Sequence, residues 1–74
     1  MRNEVIEILK DIVSDIDVES TTLIDDGDLE SLDIVDLVGA LNDEFDVEIT
    51  VDDLVPENFN SVDAMVDLIV RLQD

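Results

Sequence analysis

Apolar residues along this chain recur mainly at steps of three and four, the spacing that lines one face of a helix. Val5, Ile8, Leu9, Ile12, Val13 and Ile16 form the first such stripe. It predicts a helix over residues 3–15 with Asn3 as N-cap, Glu4 and Glu7 in the first turn and Lys10 beyond them, an order that suits the helix dipole. A second stripe, Ile34, Leu37, Val38, Leu41 and Phe45, opposes Asp33, Asp36, Asn42 and Asp43 and predicts a helix over 31–45. The third comprises Val62, Met65, Val66, Ile69, Val70 and Leu72, entered through Asn60 or Ser61 as cap and ending beside Arg71.

Between the stripes the pattern lapses. Residues 17–28 hold Ser20, Thr21, Thr22 and several Asp around Gly27, which predicts a long loop pinned by Leu23 and Ile24. Asp46 to Thr50 alternates, so an extended connector is expected there, with Val47 and Ile49 turned inward. Val51 to Leu54 allows one short helical turn, and Pro56 is expected to end it, since proline lacks the amide donor. The expected fold is all-α, a small bundle of three main helices plus one short helix, with Phe45 and Phe59 as its only aromatic filler. Residues 1–74 are read as one domain, because so short a chain cannot build two cores.

Charge narrows the range of functions. The chain has 22 acidic and 3 basic residues, a formal charge of −19, which disfavours nucleic acid and anionic membrane surfaces as partners. The bases are Arg2, Lys10 and Arg71, so the interval from Asp11 to Val70 is acidic without relief. No internal salt-bridge network can form there, and the face it makes would attract basic partner proteins. With no cysteine and no histidine, the chain lacks the thiolate nucleophile and the usual general base, and we expect no enzyme and no metal centre. A hydrophobic fraction of 46% exceeds that of disordered acidic tails, so the chain should fold. Neither a cleavable leader nor a stretch long enough to span a bilayer is apparent, and a cytoplasmic monomer is the expectation.

Ser31 stands at the mouth of the second predicted helix, just after the glycine-bearing loop. As a structural residue it would be an N-cap, although no capping box follows because position 34 is Ile. As a functional residue it places a hydroxyl where a helix N-terminus offers free amides and positive dipole to a phosphodiester, with Asp28 and Glu30 opposing that charge. A catalytic serine is disfavoured, since no histidine can take its proton.

Here the sequence resembles the acyl carrier protein family, which includes the D-alanyl and peptidyl carriers. Glu30-Ser31-Leu32 is similar to the family's Asp-Ser-Leu signature, and Asp33 through Ile49 follows its second helix and the turn after it. The resemblance implies that Ser31 accepts 4′-phosphopantetheine from coenzyme A through a separate phosphopantetheinyl transferase. Acyl groups would then ride as thioesters on the arm, in pathways such as fatty acid or polyketide synthesis, served by loading and processing enzymes with basic surfaces. Glu30 departs from the signature by one methylene, which bears on transferase recognition. Gly27, four residues before Ser31, resembles the spacing of D-alanyl and aminoacyl carriers, which stand as the alternative cargo class.

By the same resemblance the second helix meets partner enzymes through Leu32 and Val35, flanked by Glu30, Asp33 and Asp36. The inward stripe does not need Leu32 or Val35, which favours surface contact over core. Gly39 lowers helix propensity by about 1 kcal/mol relative to alanine, so a close approach by a helix or by the arm is expected there. Two rival readings remain. An EF-hand starting at Asp15 fails at its sixth position, Ser20, and its twelfth, Asp26. An acidic inhibitor or nucleic-acid mimic agrees with the charge but leaves the Ser31 register unexplained.

Overall fold

The computed structural model describes residues Met1–Asp74 and is all-helical: α1 (Arg2–Ile12), α2 (Ser31–Phe45), a 3-10 turn (Val51–Asp53), α3 (Pro56–Phe59) and α4 (Val62–Gln73). This is the architecture expected of an acyl-carrier-like bundle. Helix α1 packs on both α2 and α4, and α3 packs on α4. Val5 and Leu9 of α1, Leu37 and Leu41 of α2, and Met65 and Ile69 of α4 are fully enclosed where the stripes meet. Each side chain of this kind contributes about 1.5–3 kcal/mol on burial. Phe59 fills the junction of α3 and α4, while Phe45 is only partly covered.

Several boundaries and faces differ from expectation. Helix α1 stops at Ile12 because Val13 is extended (φ −130°, ψ 97°) and Ser14 and Asp15 favour turns over helix. Ile16 is buried from the loop that follows instead. In α4 the inward position is Leu68, 1% exposed, and Val70 faces solvent at 46%. Both lie within reach of an apolar stripe, and packing of α1 and α3 decides between them. Pro56 does not end a helix but begins α3, occupying the first turn where its missing N–H costs nothing. Gly39 is exposed, and a methyl group placed on it would meet nothing within 4 Å, so the expected close approach is absent.

The long segment from Val13 to Glu30 crosses the molecule as a chain of turns held by buried Ile16, Leu23 and Leu29. Gly27 takes a positive φ of 82°, and its N–H returns to the Ile24 carbonyl at 3.1 Å. At the far end of α2, Asp46 adopts the left-handed conformation (φ 53°) and closes the helix. Asn42 Oδ1 accepts the Ile49 N–H at 2.9 Å, which turns Ile49 inward as its β-branched pattern suggested.

Candidate functional site

Helix α2 begins one residue earlier in its bonding than the sequence suggests. Glu30, with extended backbone (φ −103°, ψ 172°), is the N-cap, and its carbonyl accepts the first helical bond from the Ile34 N–H at 3.0 Å. Asp33 at the third helical position accepts the Glu30 N–H at 3.1 Å. Glu30 and Asp33 thus form a capping-box pair, one residue ahead of the Ser31 and Ile34 positions that cannot form one. Ser31 is therefore the first helical residue, exposed, with its hydroxyl released from capping. The signal in the sequence is the acidic pair Glu30 and Asp33 at i, i+3, one residue ahead of the serine and Ile34.

Two depressions adjoin Ser31 and share Ile24, Ser31 and Ile34. One runs along the cap past Leu29, Glu30, Leu32 and Asp33. The other, about 370 Å³, lies between α2 and the approach to α3, and six of its eight lining residues are hydrophobic. Val35 and Ile34 form one wall; Leu54, Val55, Pro56 and Phe59 form the opposite wall and floor. These last four escaped sequence reading as site residues. The clue in the sequence was an apolar run, Leu54-Val55-Pro56, that joins no helical stripe; the structure leaves it exposed.

Leu32 and Val35 point outward at 80% and 68% exposure, far beyond what core residues show. Glu30 and Asp36 are exposed beside them and Asp33 is half-buried, so all six residues singled out in the sequence share the first turns of α2. No ion pair reaches this helix. The two in the structure are the N-terminal ammonium with Glu4 (2.8 Å) and Arg2 with Asp63, both at the α1 end. Hydrogen bonding to that ammonium, then a backbone bond and the ammonium's charge, hold the Glu4 carboxyl below its ordinary value. Arg71 spends its guanidinium on Asn58 Oδ1 (3.1 Å) and the Asp67 carbonyl.

The arrangement offers an exposed alcohol, helix-end amides at Ser31 and Leu32 whose dipole favours a phosphate, and an apolar trough beside it. Those features suit a phosphodiester-linked arm. The titratable side chains closest in sequence to the serine are the carboxylates of Glu30 and Asp33, and the chain has neither histidine nor cysteine.

No helix is long and apolar enough to cross a membrane. No solved structure matches this chain. The family model described as "phosphopantetheine attachment site" matches residues 1–69. Carrier domains of that family hold covalently attached 4′-phosphopantetheine, are not catalytic themselves, and work with modifying and processing enzymes. With nearly the whole sequence covered by the match and a free serine at the head of α2, the chain belongs to this phosphopantetheine-binding family, that of the acyl carrier proteins.

Proposed function

We propose that this chain is an acyl carrier whose Ser31 bears the arm. The observation that carries the reading is the transfer of capping to Glu30 and Asp33, which leaves the Ser31 hydroxyl exposed and unengaged. In the loading step Ser31 Oγ gives up its proton and takes the phosphoryl end of the group from coenzyme A, whose nucleotide portion departs. The chain holds no histidine to accept that proton, and the transferase is the proposed source of the base. Once attached, the group supplies a terminal thiol on which cargo is carried as a thioester. Leu32 and Val35, rimmed by Glu30, Asp33 and Asp36, are the proposed contact surface for enzymes bearing an apolar patch within a basic rim.

The apolar trough favours an acyl over an aminoacyl cargo. An ammonium group would have to shed its hydration among Ile34, Val35, Leu54 and Val55, whereas an alkyl chain gains by leaving water there. Treatment with a broad-specificity phosphopantetheinyl transferase and coenzyme A, followed by intact-protein mass spectrometry, should show one added arm on the wild type and none on Ser31→Ala. Loading acyl- and aminoacyl-pantetheine forms of the cofactor separately then tests the cargo. Alkyl chains are expected to raise the melting temperature progressively with length, and an aminoacyl group to leave it unchanged. An unmodified wild type in the presence of active transferase would favour the acidic-inhibitor reading instead.

A further inference from the structure

Ser31 is placed by the loop before it, and that loop is tied down by one distant residue. Asn60, at the junction of α3 and α4, receives the Ile24 N–H at 2.9 Å and the Asp25 N–H at 3.2 Å on its Oδ1. Its own carbonyl accepts the Leu23 N–H at 2.9 Å, and its Nδ2 donates to Asp25 Oδ2 at 3.3 Å. From this anchor the chain turns through Gly27 and closes when the Leu29 N–H reaches the Leu23 carbonyl at 3.0 Å. Leu29 is buried, and the next residue, Glu30, is the cap of α2. Ile24, fixed directly by Asn60, lines both depressions beside Ser31.

We infer that Asn60 is a positioning residue for arm attachment, holding the Leu23–Asp25 strap so that Ile24 and the Glu30 cap present Ser31 in one geometry to the transferase. The inference rests on the attachment reading. Asn60 suits the task because an amide side chain accepts and donates at once. An alanine side chain could do neither, so the Ile24 and Asp25 amides would lose their acceptor while the Leu23 bond to the backbone carbonyl remained. Group transfer is sensitive to misplacement of about 1 Å, so loosening the strap should tell on the rate even while the bundle stays folded.

The test compares loading rates and backbone amide exchange in wild type, Asn60→Ala, Asn60→Asp, the double variant Asn60→Asp/Asp25→Asn, and Ser61→Ala. Ser61 is adjacent and caps α4 through its bond from the Ala64 N–H, so its loss should lower the melting temperature by about 5 °C without touching the strap. For Asn60→Ala we expect kcat/KM for arm transfer to fall about tenfold or more, together with faster exchange at Ile24 and Asp25. Asn60→Asp keeps both accepted bonds but sets a carboxylate against Asp25, and should be slowed. The double variant swaps donor and acceptor across the same contact and should return to within about threefold of wild type.

Normal loading of folded Asn60→Ala, or equal slowing by Ser61→Ala, would overturn the inference. Were Asn60→Ala to unfold, the Asn60→Asp variant and its Asp25→Asn partner carry the same test, and no recovery in the folded double variant would also overturn it. Failure of wild type to accept the arm would instead remove the attachment reading, while amide exchange still reports whether Asn60 holds the strap.

Discussion

Two helices of this molecule start at a serine in the sequence, and the two serines do different work. At α4, Ser61 is the cap, its hydroxyl accepting the Ala64 N–H at 3.0 Å. At α2, Ser31 lies one position further in, because Glu30 and Asp33 have taken over the capping. A similar acidic closure recurs at the 3-10 turn, where Asp53 accepts the Thr50 N–H at 3.0 Å. A shift of one residue in register thus separates a serine consumed by the fold from one free for chemistry. The sharpest way to break the comparison is to remove each hydroxyl in turn. Ser31→Ala is expected to abolish arm addition completely and to change stability by no more than about 0.5 kcal/mol, being exposed and uninvolved in the cap. Ser61→Ala should load normally and lose about 1 kcal/mol, or 4–8 °C in melting temperature. Mass spectrometry and thermal denaturation read both; a large thermal loss in Ser31→Ala would mean that its hydroxyl caps after all.

A second separation lies between the inner and outer faces of α2. Leu37 and Leu41 are enclosed, whereas Leu32 and Val35 stand in water. Replacing Leu32 or Val35 by serine should leave thermal stability within about 0.5 kcal/mol. The same changes are expected to weaken a partner enzyme's kcat/KM for the loaded carrier by about tenfold each, the usual scale for an apolar contact at an interface centre. Loss of stability without loss of partner activity would return these residues to the core. Asp33→Ala tests the cap from the other side. It strips the acceptor from the Glu30 N–H and a negative charge from the positive end of α2, and should cost about 1 kcal/mol.

Much of this layout was readable from local pattern. The three stripes found the long helices, α2 to the residue, and the outward turn of Leu32 and Val35 followed from a face already complete without them. What escaped was set by contacts between distant parts. The choice of Leu68 over Val70 is made by neighbouring helices, and Pro56 becomes a helix start because the chain turns just before it. Glu30 caps α2 at the end of a loop whose Asp25 and Ile24 amides bond to Asn60, 35 and 36 residues away. Periodicity carries no signal for such a bond. The apolar trough is likewise assembled from α2, the loop and α3, and appears in the sequence only as apolar residues without a stripe to join.

Charge makes the last comparison, between a helix end with a cation nearby and one with none. Arg2 faces Asp63 at the start of α4, whereas the start of α2 gathers Glu30, Asp33 and Asp36 with no base at hand. Added salt acts on both in opposite directions. It weakens the Arg2 pair, which is exposed on both sides and belongs to a class worth about 0–1 kcal/mol. It also screens repulsion among 22 acidic groups set against 3 bases, and by number that relief outweighs the loss. Shortening the screening length from about 10 Å at 0.1 M salt to about 3 Å at 1 M should therefore raise the melting temperature by a few degrees. Millimolar magnesium should act in the same direction. The gain should be smaller when Asp33 and Asp36 are both changed to asparagine, because part of the repulsion has then been removed by mutation. A flat or falling curve in the wild type would mean that the fold already spaces its carboxylates widely enough to escape one another, leaving the acidic face of α2 to be explained by its partners alone.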